Sequence, residues 1–150
     1  MQTGTYILLL HLPADAELNI PGLGKIAFPA GFYAYADSAF GIYTLPNRIK
    51  AHLAKPATPR EHIDFLRQVA SVAEIWLAPG DEPHTHDWVS LLLTIPGGIT
   101  IADGFGVDNC TCDSHLVYFD VRPSLEDFQI GARKRFPAES IIVAKTDANN

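Results

Sequence analysis

The pattern of apolar and polar positions predicts strands with helices inserted between them. Short apolar or aromatic runs bounded by proline or glycine are typical of buried strands. The chain has such runs from its first residues to its last third. They predict strands at residues 5–12, 25–28, 32–36, 72–77, 116–121 and 141–144.

Apolar positions that recur every three or four residues predict three helices. In the first, Leu45, Ile49 and Leu53 share one face, a threonine precedes the first turn as a cap, and a proline lies within that turn. Arg48 and His52, one turn apart, share another face of the same helix. The other two helices are predicted at residues 61–69 and 86–93.

These elements predict an α+β fold with a small, mostly antiparallel central sheet flanked by helices and a C-terminal strand extension. The first strand and the aromatic strand at residues 32–36 are expected to pair. Residues 15–21 are interpreted as a polar segment ending in a turn, and residues 122–140 receive no element. The length of 150 residues fits one domain. We place it at residues 1–146, with residues 147–150 as a frayed tail.

Composition excludes several classes of protein. Hydrophobic residues make up 47% of the chain and charged residues 19%, which favours a packed core over disorder. No apolar run reaches the roughly 20 residues that span a membrane, and the start lacks a signal peptide's basic segment, so we expect a cytoplasmic protein. The net charge of −6 argues against strong nonspecific nucleic-acid binding. Basic residues nevertheless cluster at Arg48, Lys50 and Lys55 and at Arg133, Lys134 and Arg135.

The only two cysteines, Cys110 and Cys112, are one residue apart. A disulfide across that spacing would be strained, so a reduced pair close to His115 is expected. These three residues could form three corners of a zinc site, with His84 or His86 as a fourth ligand. Buried free thiols that pack as small hydrophobic groups are the commoner outcome, and we favour them over zinc.

Six short motifs follow one another along the chain. They are Gly4-Thr5-Tyr6, then Tyr35-Ala36-Asp37-Ser38-Ala39, then Arg48 with His52, then His62-Ile63-Asp64, then Gly104-Phe105-Gly106 with Cys110 and Cys112, and last Ser114-His115-Leu116 with Tyr118-Phe119. In this order they resemble the GIY-YIG nuclease superfamily, in particular its small stand-alone Uri-type branch. No single motif is specific, but six in the same order are.

The resemblance implies hydrolysis of DNA phosphodiester bonds. In such a site a tyrosine hydroxyl or a nearby base helps water to attack, and an arginine stabilises the charge on the phosphate. The catalytic candidates are Tyr6, Tyr35, Arg48 and His52, which we expect to line one cleft. Without the resemblance, Tyr6 and Tyr35 would be interpreted as core tyrosines.

The resemblance also implies that Ser38, Lys50 and His62 bind the substrate. His62 and Asp64 have a second interpretation, because residues at the start of a helix more often orient or cap it than catalyse. The substrate partner is DNA, and no membrane partner or oligomeric state is predicted.

A divalent metal, magnesium or manganese, is the cofactor that the resemblance implies. Two positions depart from the family's pattern: the glycine of the second motif is Asp37, and the metal-binding glutamate is replaced by His86, with Asp87 beside it. Either Asp37 or Asp87 supplies the carboxylate, or the site is lost. Because imidazole suits transition metals, any activity should prefer one to magnesium. The alternative function is a non-catalytic relative that binds nucleic acid or a protein partner.

Overall fold

The computed structural model describes residues 3–40, 44–54, 57–107, 113–135 and 144–147. In this part of the chain, helices are inserted between strands in an α+β fold, the class that the sequence predicts. The strands are β1 (Gly4–Leu12), β2 (Ala16–Ile20), β3 (Gly24–Phe28), β4 (Gly31–Ala39), β5 (Ser71–Pro79), β6 (Leu116–Phe119) and β7 (Ala144–Asp147). The helices are α1 (Leu45–Leu53), α2 (His62–Arg67), α3 (Thr85–Thr94) and α4 (Leu125–Arg135).

Strand β1 is the middle of an antiparallel sheet with the order β6-β4-β1-β5-β7. Its apolar side chains are buried on both faces, which explains why it takes the central place. The expected pairing of β1 with β4 is confirmed, and it puts Tyr6 opposite Asp37 and Leu8 opposite Tyr35. Because paired residues point to the same face, Tyr6, Tyr35 and Asp37 project from one side of the sheet.

Each face of the sheet has its own core. Helices α1 and α2, the β2–β3 hairpin and the segment around Phe105 cover the face that carries Tyr6 and Tyr35. Helices α3 and α4 cover the opposite face, where Trp76, Trp88 and Phe128 are packed. We refer to these as the α1/α2 face and the α3/α4 face.

Two elements of the structure were missing from the prediction. Residues 15–21 contain β2, whose alternate side chains turn inward while Glu17 and Asn19 stay exposed. It was missed because it is short and half polar, and it becomes a strand by pairing with β3. Helix α4 was missed because its apolar stripe is thin: Phe128 and Ala132 are its buried residues, and charged residues surround them.

The C-terminal strand extends beyond its predicted end at Ala144. Residues 141–143 of the predicted strand lie outside the described part of the chain, and β7 continues to Asp147, the first residue of the predicted tail. None of the described helices is long and apolar enough to cross a bilayer.

Candidate functional site

The four predicted catalytic side chains converge where β1 begins and β4 ends. The Tyr6 hydroxyl hydrogen bonds with Nε2 of His52 at 2.8 Å, and their rings lie 5.6 Å apart. The ring of Tyr35 packs edge-on against His52, with 6.3 Å between centroids. The Arg48 guanidinium lies next to the Tyr6 hydroxyl. The i, i+4 spacing on α1 therefore delivers both Arg48 and His52 to the same tyrosine.

The guanidinium of Arg48 is held between two carboxylates. Its two terminal nitrogens donate to the two oxygens of Glu61, each at 3.2 Å, and one of them lies 3.5 Å from Asp37. The same Asp37 carboxylate accepts a hydrogen bond from the Tyr35 hydroxyl at 3.2 Å. Arg48 thus has a bidentate acidic partner, Glu61, on the two terminal nitrogens of its guanidinium.

Glu61 was not among the predicted site residues. It precedes α2 as its N-terminal cap residue, and its backbone amide donates to the side chain of Asp64 at 3.0 Å. That capping role hides its second one, the contact with Arg48 thirteen residues earlier. The available signal was its place directly before the His62-Ile63-Asp64 motif.

Burial keeps the side chains of Tyr6 and His52 uncharged. It lowers the pKa of His52 to about 4, and the charge of Arg48 adds to this effect. Burial also raises the pKa of Tyr6 well above its ordinary value, with Asp37 contributing and Arg48 opposing. At neutral pH the site therefore contains an uncharged imidazole hydrogen bonded to an uncharged phenol.

A buried arginine on α2, Arg67, holds the end of α1 in place. Its guanidinium donates to the backbone carbonyls of His52 at 3.0 Å, Leu53 at 3.0 Å and Ala70 at 2.7 Å. The bonds to His52 and Leu53 satisfy carbonyls that the last turn of α1 leaves without partners. The sequence gives little hint of this role, because Arg67 has the appearance of an ordinary solvated helix residue.

The segment with Gly104-Phe105-Gly106 closes over Tyr35. The Phe105 ring packs edge-on against Tyr35, with 6.0 Å between centroids. The amide of Gly106 donates to Nδ1 of His62 at 2.9 Å. Gly106 has a φ of +71°, and a Cβ there would come within 2.8 Å of the Tyr35 ring. Only glycine therefore allows this close approach.

The predicted substrate-binding residues do not form one group. His62 lies under the Gly106 segment, and Lys50 is exposed on α1. Ser38 points to the other side of β4, where its hydroxyl contacts that of Thr85 at 2.5 Å and that of Thr5 at 3.1 Å. It joins the start of α3 to the sheet rather than facing Arg48.

The side chains predicted to bind metal are likewise engaged elsewhere. Asp37 is bound to Tyr35 and Arg48, whereas Asp87 accepts a hydrogen bond from Arg135 at 2.9 Å. His86 is exposed, with its ring 6.0 Å from that of the buried His115. Across residues 3–40, 44–54, 57–107 and 113–135, no three His, Cys, Asp or Glu side chains gather as a metal-binding group. This arrangement does not fit a shared divalent-cation site.

The proposed zinc ligands cannot be placed, because Cys110 and Cys112 lie outside the described residues. His115 itself is buried directly before β6, and burial lowers its pKa.

The four side chains, which were expected to line one cleft, differ in their exposure. Tyr6 is 0% exposed, and Tyr35 and His52 are each 3% exposed. The side chains of Arg48 and Asp37 are more accessible, at 18% and 26%. The convergence holds, but the two tyrosines and the imidazole are buried, and the ion-paired Arg48 and Asp37 are the more accessible members of the group.

Comparison with known proteins supplies the family. No curated protein matches the chain, and no solved structure matches it either. A family model described as a domain of unknown function, DUF123, matches residues 5–136. The matched region runs from β1 to α4 and includes each side chain of the Tyr6, Tyr35, Arg48 and His52 cluster. The chain therefore belongs to the DUF123 family.

Proposed function

We propose that this chain is a nuclease of the GIY-YIG type that hydrolyses phosphodiester bonds in DNA. The observation that carries the proposal is the 2.8 Å hydrogen bond between Tyr6 and a neutral His52, with the Arg48 guanidinium beside it. A proton acceptor, a hydroxyl and a phosphate-binding cation thus meet at one end of the sheet. It is the combination that phosphodiester hydrolysis needs.

The proposed chemistry begins when a phosphate takes the place of Glu61 on Arg48. A guanidinium fork accommodates phosphate oxygens as well as carboxylate oxygens, so this exchange keeps its hydrogen bonds. Arg48 then stabilises the negative charge that builds up on the phosphate in the transition state.

Proton transfer follows the Tyr6–His52 hydrogen bond. A water oxygen forms a bond to phosphorus as the bond from phosphorus to the leaving oxygen breaks. The water gives a proton to the Tyr6 oxygen, while the Tyr6 proton moves to Nε2 of His52. The leaving oxygen takes up a proton from solvent. The pKa of His52, about 4, makes it a weak base that releases the proton readily after each turnover.

A second candidate function is binding without catalysis. It is favoured by the two carboxylates that already neutralise Arg48 and by the dispersed positions of Asp37, His86 and Asp87. Such a protein would keep the fold and bind DNA or a protein partner. The two candidates differ in one measurable outcome, the cleavage of DNA.

The test is cleavage of single-stranded and branched DNA in magnesium, in manganese and in a chelator. Tyr6→Phe and Arg48→Ala should each reduce cleavage by about 100-fold or more. The matched controls are Tyr33→Phe, which removes another buried hydroxyl from the same face, and Arg60→Ala on an exposed position. Both controls should stay within about twofold of the wild type.

Three outcomes separate the candidates. Cleavage lost only in the Tyr6 and Arg48 variants supports the nuclease. Tight DNA binding without cleavage in any metal supports the binding protein. Equal losses in Tyr6→Phe and Tyr33→Phe would show that Tyr6 acts through folding and would overturn its catalytic role.

The two carboxylates can be ranked in the same assay. Asp37→Ala should damage activity at least as much as Asp87→Ala, because Asp37 contacts both Arg48 and Tyr35, whereas the partner of Asp87 is Arg135. Activity that survives Asp37→Ala and fails in Asp87→Ala would reverse this order.

A further inference from the structure

The last turn of α4 carries three consecutive exposed cations, Arg133, Lys134 and Arg135. The acidic residues of this helix lie at its other end, in the first turn. Arg135 donates to Asp87 at 2.9 Å. Within the described part of the chain, neither Arg133 nor Lys134 has an acidic partner. We call this turn, residues 133–135, the α4 basic turn.

The α4 basic turn is anchored to the rest of the protein by the packing of the preceding helical turn. One turn before it, Ala132 and Phe128 are buried in the core of the α3/α4 face. The Phe128 ring packs 5.0 Å from that of Trp88 and 5.5 Å from that of Trp76. A helix end that is packed in this way presents its charges at a defined place on the surface, unlike a charged tail.

That place is the same end of the sheet as the candidate site. Arg135 binds Asp87 in the first turn of α3. The same turn contains Thr85, whose hydroxyl contacts Ser38, and Ser38 directly follows Asp37 on β4. A short series of contacts therefore joins the α4 basic turn to the residues around Arg48, from the opposite face of the sheet.

This location matters because the protein as a whole is acidic, with a net charge of −6. Against that background, a cluster of cations beside the site offers a local attraction for a polyanion. Basic residues at the end of a helix are also favoured by the helix dipole, which by itself would explain them as stabilising residues. The two explanations differ in what happens to ligand binding when the charges are removed.

We propose that the α4 basic turn binds the phosphate backbone of a DNA strand that continues from the candidate site around the end of the sheet. The proposal rests on the proposed function, since it assigns a second contact to the same substrate. Asp87 then has a defined role as the residue that anchors the α4 basic turn to α3.

The test is the salt dependence of DNA binding. A labelled DNA single strand of about 30 nucleotides is titrated with the protein in buffer that contains a chelator. Binding is followed by fluorescence anisotropy at salt concentrations between about 25 and 200 mM. The variants are Lys134→Gln and the double variant Arg133→Gln with Lys134→Gln. The matched control is Lys25→Gln, which removes an exposed lysine charge from the β2–β3 hairpin.

Removal of one cation that binds a phosphate should reduce the slope of log affinity against log salt by about 0.7 on single-stranded DNA. We therefore expect a reduction of about 0.7 for Lys134→Gln and about 1.4 for the double variant. Lys25→Gln should leave the slope of the wild type unchanged.

The remaining outcomes each count against a specific statement. If the α4 variants and Lys25→Gln have the same slope, or if only thermal stability falls, the α4 basic turn does not bind DNA. If the variants instead lose binding to vesicles containing phosphatidylserine while DNA binding is unchanged, the turn serves a membrane surface. If wild-type protein does not bind DNA at low salt, the proposed function itself fails.

Discussion

The two faces of the central sheet share the same strands but bury different chemistry. At the centre of the α3/α4 face the packing is aromatic, with Trp76, Trp88 and Phe128 in contact. The α1/α2 face buries the hydroxyl of Tyr6, the imidazole of His52 and the guanidinium of Arg67 beside its apolar side chains.

This difference distinguishes buried groups that stabilise the fold from buried groups that stability does not require. Buried polar groups destabilise a protein unless they are hydrogen bonded, and an apolar side chain of similar shape is often at least as stable. The α3/α4 face also buries one charge, Glu74, but pairs it with Arg122 and with the indole of Trp76. That group lies toward the other end of the sheet. The polar cluster on the α1/α2 face is thus the feature that stability alone does not explain.

The largest expected effect on stability comes from breaking the aromatic face. Phe128→Ala should lower the free energy of unfolding by about 3–5 kcal/mol, because it removes a fully buried ring from between two tryptophans. Cleavage per folded molecule should not change. Tyr6→Phe should cost only about 1–3 kcal/mol of stability and reduce cleavage by about 100-fold or more. Urea denaturation measures the stability of both variants. If Phe128→Ala and Tyr6→Phe destabilise the protein equally, the two faces do not differ in their contribution to stability.

An intermediate effect on stability is expected from a change of pH, and it arises on the α1/α2 face. Burial lowers the pKa of His52 from its ordinary value of 6.5 to about 4. The unfolded chain therefore binds a proton more readily than the folded one. The free energy of unfolding therefore keeps its full value above pH 6.5. It falls as the pH is lowered from 6.5, the pKa in the unfolded chain, to about 4, the pKa in the folded protein. The loss amounts to about 3 kcal/mol.

The measurement is chemical denaturation of wild type and His52→Gln at several pH values between about 7 and 4. Glutamine keeps a hydrogen-bonding partner for Tyr6 and does not titrate. The wild type should lose stability relative to this variant as the pH falls. Parallel stability profiles would mean that His52 is accessible to solvent and that the α1/α2 face is less closed than its burial indicates.

The smallest expected effect comes from removing the ion pair between Arg48 and Glu61 at the surface of the site. Glu61→Gln removes one charge that neutralises Arg48 and should change stability by less than about 1 kcal/mol, since the pair is partly exposed. DNA affinity should rise by about 2- to 5-fold, because the phosphate no longer competes with a carboxylate.

The control for this change is Glu17→Gln, which removes the acid from another exposed ion pair, that with Lys25, and alters the net charge equally. A gain of affinity in Glu61→Gln alone identifies the carboxylate as a competitor of the phosphate. An equal gain of DNA affinity in Glu61→Gln and Glu17→Gln would show that the gain comes from the change in net charge alone.

Features that depend on near neighbours in the chain could be predicted from the sequence alone. Apolar runs placed β1 and β4, and their aromatic and apolar content predicted that they would pair. The capping threonine and the four-residue spacing placed Arg48 and His52 on one helix, one turn apart. Local periodicity and motif order therefore sufficed to select Tyr6, Tyr35, Arg48 and His52 as a group.

Long-range packing, by contrast, determines which charges find partners and which are buried. Glu61 and Arg67 resemble solvated helix residues in the sequence, yet one neutralises Arg48 and the other holds the backbone of His52. Helix α4 gains its stability from the aromatic contacts of Phe128, which no local pattern reveals. Burial and ion pairing join residues far apart in the chain, so they depend on the packing of whole elements rather than on spacing along the sequence.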